Sequence, residues 1–109
     1  MGVSKTENFT EQQNEIALFA KVFGHPARVA ILQHLFKIKT CVCGDLVDEI
    51  KLAQPTISQH LKELKNLGLI KGNVEGTRVC YCIHPENWTA MKDVMHQFLE
   101  QDIPEPDCC

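Results

Sequence analysis

The fold is decided by residues 54–71, which read QPTISQHLKELKNLGLIK. Apolar side chains in this stretch recur at intervals of four, three and three residues, at Ile57, Leu61, Leu64 and Leu67. That spacing predicts an amphipathic helix with one buried stripe. Pro55 fits the first turn of such a helix, because its missing N–H would have no intrahelical partner there. Gly68 suits the helix end, and a strand is expected to follow directly.

Polar and cationic side chains occupy the positions between the apolar ones. Short hydrogen-bonding groups stand near the helix start and lysines stand farther along, in the order Thr56, Ser58, Gln59, His60, Lys62 and Lys65. A helix whose first turns meet base edges and whose flank meets phosphates needs this distribution. Each residue alone is also compatible with an ordinary exposed helix surface. The prediction of a DNA-recognition helix therefore rests on the whole block.

The rest of the chain adds three helices before this one, and a hairpin and a helix after it. A length of 109 residues suits one domain. The predicted order is α-α-α-α-β-β-α, a mainly α winged helix-turn-helix in which the hairpin is the wing. We expect a flexible N-terminus over 1–10, the domain over 11–101 and an irregular tail over 102–109, with Asp45 as the N-cap of the third helix. The predicted helices cover 11–23, 26–36, 44–51, 54–68 and 86–101, and the predicted strands cover 69–74 and 78–83.

The first and last helices carry more apolar surface than such a small core can cover. A homodimer through these two helices would bury it, and two-fold symmetry would present two recognition helices to half-sites about one turn of DNA apart. The alternative is that both helices pack only on their own monomer.

The net charge of −3 is unusual for a DNA-binding protein, but the charge is unevenly distributed. Residues 54–78 carry four basic and two acidic side chains, whereas residues 79–109 carry Lys92 against six acids. The local basic excess is therefore on the suspected DNA face, where it matters for binding. The sequence has neither an apolar run long enough for a bilayer nor a signal peptide, so we expect a cytoplasmic protein without a membrane partner.

Several segments resemble the ArsR/SmtB family of bacterial metal- and stress-sensing repressors. They are residues 24–32 (GHPARVAIL), 41–46 (CVCGDL), 54–61 (QPTISQHL), 67–70 (LGLI) and 75–81 (EGTRVCY). The resemblance implies a homodimer that blocks transcription from double-stranded operator DNA until a ligand weakens DNA binding. It also implies the DNA contacts. By match to the family's motif, the residues that would face the major groove are Gln54, Thr56, Ser58, Gln59 and His60. Lys62 and Lys65 would lie near phosphates. The wing tip, near the minor groove or the backbone, would be formed by Gly76, Thr77 and Arg78.

Six cysteines in a chain without an export signal indicate metal ligands or redox groups rather than structural disulfides. Cys41 and Cys43 could chelate one soft ion, and the resemblance implies an inducer such as As(III) or Sb(III), or another thiophilic metal ion, with no permanent cofactor. The chain departs from the family pattern by an extra residue, Gly44, and by Val47 where one branch has a third cysteine. A third ligand must therefore come from elsewhere.

Two further pairs of cysteines could supply it. Cys80 and Cys82 are two residues apart on a predicted strand and so share a side, while Cys108 and Cys109 end the tail. The alternative for the strand pair is a role as small buried apolar residues, and for the tail pair an irregular reactive end. Histidines and acids of the last helix lack the paired spacing that zinc-sensing relatives use.

Two other functions remain open at this point. The same fold could sense thiol oxidation or sulfide, with cysteine pairs that form disulfides and bind no metal. A winged helix could also bind a protein instead of DNA, which the net acidity favours. An enzyme is not expected, because no nucleophile–base set, phosphate loop or metalloprotease pattern is present.

Overall fold

The computed structural model describes residues 8–38, 46–75 and 78–105. Five helices and one antiparallel hairpin confirm the predicted order and the mainly α winged fold. The helix and strand ends lie within about two residues of the predicted ones, except that the predicted start of the third helix, at 44, lies outside the described residues. The elements are α1 (Glu11–Val22), α2 (Pro26–Lys37), α3 (Leu46–Ile50), α4 (Gln54–Asn66), β1 (Ile70–Glu75), β2 (Arg78–Ile83) and α5 (Pro85–Leu99).

The first two helices begin at well-defined caps. At α1, the Thr10 hydroxyl accepts from the backbone N–H of Gln13 (3.0 Å), and the Gln13 side chain accepts from the Thr10 N–H (2.9 Å). This reciprocal capping box satisfies two N–H groups that a helix end leaves unpaired. At α2, Pro26 opens the helix and the His25 Nδ1 atom accepts from the backbone N–H of Ala27 (3.1 Å).

The turn from α3 to α4 has one unusual backbone conformation. Lys51 has a φ of 63°, in the left-handed region that L-residues rarely adopt. Ala53 then precedes α4 without a side-chain cap, and proline stands in the first turn as predicted. Asp45, the predicted cap of α3, lies outside the described residues.

The end of α4 is closed by Gly68, whose φ of 84° lies in the left-handed region that favours glycine. Its N–H donates to the Lys65 carbonyl (2.9 Å), and the N–H of Leu69 donates to the Leu64 carbonyl (3.1 Å). These two bonds form a Schellman motif. The chain then turns directly into β1, as the sequence predicts.

The core lies between α2, α4 and the base of the hairpin. Its members include Ile31, Ile57, Leu64, Leu69 and Ile70, each at most 2% exposed, together with Met91 of α5. The hairpin pairs Ile70 with Ile83 at its base and Glu75 with Arg78 at its outer end. Because its base is part of the core, the orientation of the wing is tied to that of α4. No helix among the described residues is long and apolar enough to cross a membrane.

Candidate nucleic-acid interface

Helix α4 has one buried and one exposed side. Ile57, Leu61 and Leu64 are at most 4% exposed and hold the helix against the core. The opposite side carries most of the predicted DNA contacts in exposed positions, at Gln54, Thr56, Ser58, Gln59, Lys62 and Lys65. The helix therefore presents a polar and basic row outward, away from the stripe that anchors it.

Three of these exposed side chains, those of Gln54, Ser58 and Gln59, take part in hydrogen bonds within the helix. The Gln54 amide donates to the Ser58 hydroxyl (2.8 Å), and the Gln59 amide donates to the Glu63 carboxylate (3.2 Å). Both pairs are four residues apart, a spacing at which helix side chains meet. The amide oxygens of both glutamines are not used in these bonds and could accept from a base edge.

His60 lies on the buried side, which does not agree with its predicted place in the major groove. His60 is only 7% exposed. Its Nδ1 atom accepts a hydrogen bond from Nε of Arg28 at 3.2 Å. Its ring packs edge-on against His25, with 4.4 Å between ring centroids. The physical reason is helical spacing, because residue 60 follows the buried Ile57 by three positions and precedes the buried Leu64 by four.

The surroundings lower the pKa values of two members of α4, His60 and Glu63. Burial, then the His25 ring and the Arg28 guanidinium, lower the pKa of His60 below its usual 6.5. The hydrogen bond from Gln59, assisted by Arg28, holds the pKa of the Glu63 carboxyl below its usual range. His60 is therefore a neutral acceptor, and Glu63 is a carboxylate that forms an ion pair with Arg28.

One basic side chain at the end of α4, that of Lys65, approaches the wing. The Nζ atom of Lys65 lies 3.5 Å from the position that a Cβ on Gly72 of β1 would take. Arg78 begins β2, while Gly76 and Thr77, the predicted wing tip, lie outside the described residues. The described part of the wing therefore lies next to the basic end of α4.

The structure describes two of the six cysteines, Cys80 and Cys82, both on β2. Cys80 is completely buried and is disulfide-bonded, whereas Cys82 is reduced and half-buried. In this state Cys80 offers no thiolate, which does not agree with its predicted role as a ligand. The other predicted ligands, Cys41, Cys43, Cys108 and Cys109, lie outside the described residues.

No group of three or more potential ligands among the described residues is arranged to hold a metal ion. The described residues contribute one thiol, that of Cys82, so a soft ion would need its further ligands from the remaining cysteines. The donor chemistry of those cysteines suits a thiophilic ion.

Comparison with known proteins identifies the family. The sequence profile described as "Bacterial regulatory protein, arsR family" matches residues 25–71. An uncharacterized HTH-type transcriptional regulator of Methanocaldococcus jannaschii is 43% identical over 74 residues, which cover 67% of this chain and 82% of that protein. The chain belongs to the ArsR family of bacterial regulatory proteins. This membership confirms the resemblance drawn from the segments around residues 24–32 and 54–61.

Two relatives within the ArsR family show how far the likeness extends. The arsenical resistance operon repressor of Staphylococcus xylosus is 32% identical over 72 residues, covering 66% of this chain and 68% of that protein. The transcriptional repressor SmtB of Mycobacterium tuberculosis is 43% identical over 56 residues, and the matched region spans 51% of this chain and 41% of that protein. Relatives of this chain are thus transcriptional regulators and not enzymes, as expected.

Solved structures agree on the ArsR-family fold. HlyU from Vibrio cholerae superposes with a TM-score of 0.66 at 24% identity, covering 85% of this chain and all of that one. The likeness supports the winged helix-turn-helix architecture and says nothing further about ligands.

Two residues of this interface were missed by sequence reasoning, Arg28 and Glu63. Glu63 could have been found, since it stands four residues after Gln59 on one helix face. Arg28 is separated from His60 by 32 positions, and no local spacing in the sequence pairs it with α4.

Proposed function

We propose that this ArsR-family chain is a dimeric repressor that reads operator DNA with α4 and releases it when its cysteines react with a thiophilic inducer. The observation that carries the DNA-reading step is the exposed row on α4. Polar side chains near its N-terminal end suit base edges, and Lys62 and Lys65 suit phosphates. By match to the family's motif, Gly76, Thr77 and Arg78 of the wing would contact the adjacent backbone or minor groove. His60 is left out of the reading set, because its ring is buried against α2.

The dimer would form through α1 and α5. Apolar side chains remain exposed on or just beyond these helices, among them Leu18, Phe98, Leu99 and Ile103. Exposed large apolar groups on two helices are a candidate surface for association. A second copy of the chain is the occupant that also gives DNA recognition its two-fold symmetry.

The proposed inducer is As(III) or Sb(III), with Cys41 and Cys43 as its primary ligands. Two thiolates one residue apart suit a soft ion, and a relative of this chain is an arsenical resistance operon repressor. A third thiolate would come from Cys82 or from the tail pair, Cys108 and Cys109. Inducer and DNA would then oppose each other through a coupling free energy of about 1–3 kcal/mol.

A second inducer chemistry is favoured by the disulfide at Cys80. In this alternative, two thiols lose two protons and two electrons to an oxidant as one disulfide forms next to the core. The strand β2 would then change its fit to α2, the helix against which it packs. Cys80 is buried and lies opposite Asn73 in the hairpin. Oxidation would therefore act directly on the wing.

The test of DNA reading is fluorescence anisotropy on a duplex that the reduced wild-type protein enriches from a random pool. Ser58→Ala with Gln59→Ala should weaken binding to this duplex by about 1–3 kcal/mol for each lost base contact. Gln33→Ala on the exposed side of α2 is the matched control and should bind like wild type. Failure to enrich any duplex, or unchanged affinity of the folded double variant, would contradict the proposal. Affinity should also fall steeply with added salt.

The same assay separates the two inducers. Arsenite, Cd(II), Zn(II) and the thiol oxidant diamide are added in parallel to the protein–DNA complex. Release by arsenite that is lost in Cys41→Ser/Cys43→Ser would support the metalloid site. Release by diamide alone, lost in Cys80→Ser, would support the redox alternative instead.

A further inference from the structure

The side chain of Arg28 connects three helices at one point. Arg28 lies in the first turn of α2 and its side chain is 15% exposed. Its Nε donates to Nδ1 of His60 on α4 at 3.2 Å, and its terminal nitrogen forms an ion pair with the Glu63 carboxylate one turn further along α4. Another terminal nitrogen is 3.5 Å from the carbonyls of Lys21 and Val22, at the end of α1.

The guanidinium is suited to this position by its geometry and charge. A planar group with fixed donor directions can bind an imidazole and a carboxylate at once, which a lysine ammonium does less well. The last carbonyls of α1 carry the negative end of that helix, which favours a cation beside them. Arg28 therefore fixes α4 relative to both α1 and α2.

Glu63 connects Arg28 to Gln59, a side chain of the proposed base-reading set. One carboxylate oxygen is paired with Arg28, and the other accepts from the Gln59 amide at 3.2 Å. The Gln59 amide group is thereby oriented, with its N–H toward Glu63 and its carbonyl oxygen open to an incoming base. Without Arg28, the carboxylate would lose its partner and Gln59 its orientation.

We infer that Arg28 is a positioning residue for sequence-specific DNA reading, which sets the orientation of Gln59 and of α4 by way of Glu63 and His60. This inference rests on the proposed DNA-reading function of α4. It leads to a specific expectation for Glu63. An acid next to phosphates would ordinarily weaken DNA binding, whereas here its removal should reduce the discrimination between sequences.

The experiment compares affinity for the enriched duplex with affinity for a scrambled duplex of the same length and composition. Arg28→Met should lower the ratio of these affinities by about 2- to 30-fold. Lys37→Met, nine residues further along α2, removes the same charge and should leave the ratio unchanged. Arg28→Lys should restore part of the ratio. A loss of folded protein alone would reduce both affinities equally and leave their ratio intact.

The route through Gln59 is tested by a double-mutant cycle. If Arg28 acts through this side chain, Arg28→Met should change the ratio much less in a Gln59→Ala background than in wild type. Independent, multiplicative effects would overturn that route. Glu63→Ala, at a position partly open to solvent, serves if Arg28→Met does not fold, and it should also lower the ratio. A wild-type ratio in folded Arg28→Met or in Glu63→Ala would overturn the inference.

These outcomes are distinct from failure of the proposed function. If wild-type protein does not distinguish the two duplexes at all, α4 is not a sequence reader. If wild type distinguishes them and the Arg28 and Glu63 variants do so equally well, DNA reading stands and the positioning role is wrong.

Discussion

At the scale of single residues, the least expected feature is the buried side of the recognition helix. Both His25 and His60 use Nδ1 as a hydrogen-bond acceptor, for Ala27 and for Arg28 respectively. A proton on Nδ1 of His60 would remove the acceptor for Arg28 and place a cation beside its guanidinium. The contact between Arg28 of α2 and α4 therefore depends on a neutral His60 imidazole.

This dependence predicts a loss of stability in mild acid. The pKa of His60 is lowered in the folded state, so the unfolded chain binds a proton first as the pH falls through about 6.5. The free energy of unfolding should accordingly fall between neutral pH and the lower folded pKa. The groups that face His60 are His25 and Arg28, with Glu63 on its own helix and Lys21 of α1 nearby.

The measurement is urea unfolding between pH 7.5 and 5, on wild type and on His60→Gln, whose amide oxygen can still accept from Arg28. The variant should lose less stability over this range. His96→Gln is a matched control at an exposed histidine of α5 and should follow the wild-type curve. Parallel curves for all three proteins would contradict the role of His60. Glu63 adds its own loss only at more acidic pH, where its lowered pKa is reached.

At the scale of elements, α5 is connected to the end of α4 by one side chain. The Asn87 amide in the first turn of α5 donates to the Gly68 carbonyl at 2.8 Å, and the N–H of His84 donates to the Leu69 carbonyl at 3.0 Å. The start of the proposed dimer helix thus holds the turn that ends the recognition helix. A movement of α5 would be transmitted to α4 at this turn.

Gly68→Ala should destabilise the fold by about 1–2 kcal/mol or more, because φ there is 84° and a Cβ would lie 2.9 Å from the Asn87 amide nitrogen. Asn87→Ala should cost about 1 kcal/mol for the lost hydrogen bond. The double variant should cost less than the sum, since the short contact with Asn87 is then absent. Thermal unfolding of the three variants checks this cycle, and full additivity would show that the contact with Asn87 contributes nothing.

At the scale of the whole molecule, basic and acidic charge are separated. The basic row of α4 continues toward the wing, while residues 79–109 carry one basic side chain, Lys92, against six acids. Large exposed apolar groups occur on α1, on α5 and just beyond it, and also on α2 and β2. The proposed dimer through α1 and α5 would bury part of this apolar surface and direct its two basic faces to DNA.

Leu99→Glu should shift the protein from dimer to monomer and weaken binding to the enriched duplex, because Leu99 is 72% exposed at the end of α5 and a buried unpaired carboxylate is costly. Gln33→Glu adds the same charge on the exposed side of α2 and should leave the dimer intact. Analytical ultracentrifugation over a range of concentrations reports the change. An unaltered dimer in Leu99→Glu would place the interface elsewhere.

The sequence by itself determined the features that depend on local spacing. The stripe of α4, the glycine at its end, the proline at its start and the hairpin follow from steric preferences within a few residues, so their positions could be predicted. The spacing of His60 from Ile57 and Leu64 also predicts the buried side of α4 for this residue. Its polar side chain nevertheless favoured a position in the major groove, and that interpretation was wrong. Only the tertiary structure decided that Arg28 meets His60 and Glu63, because residues far apart in the chain are brought together by packing of the core. The same reason explains why Cys80 is completely buried while Cys82, two positions away, is half-buried. Their burial depends on what packs against β2, which the local sequence does not show.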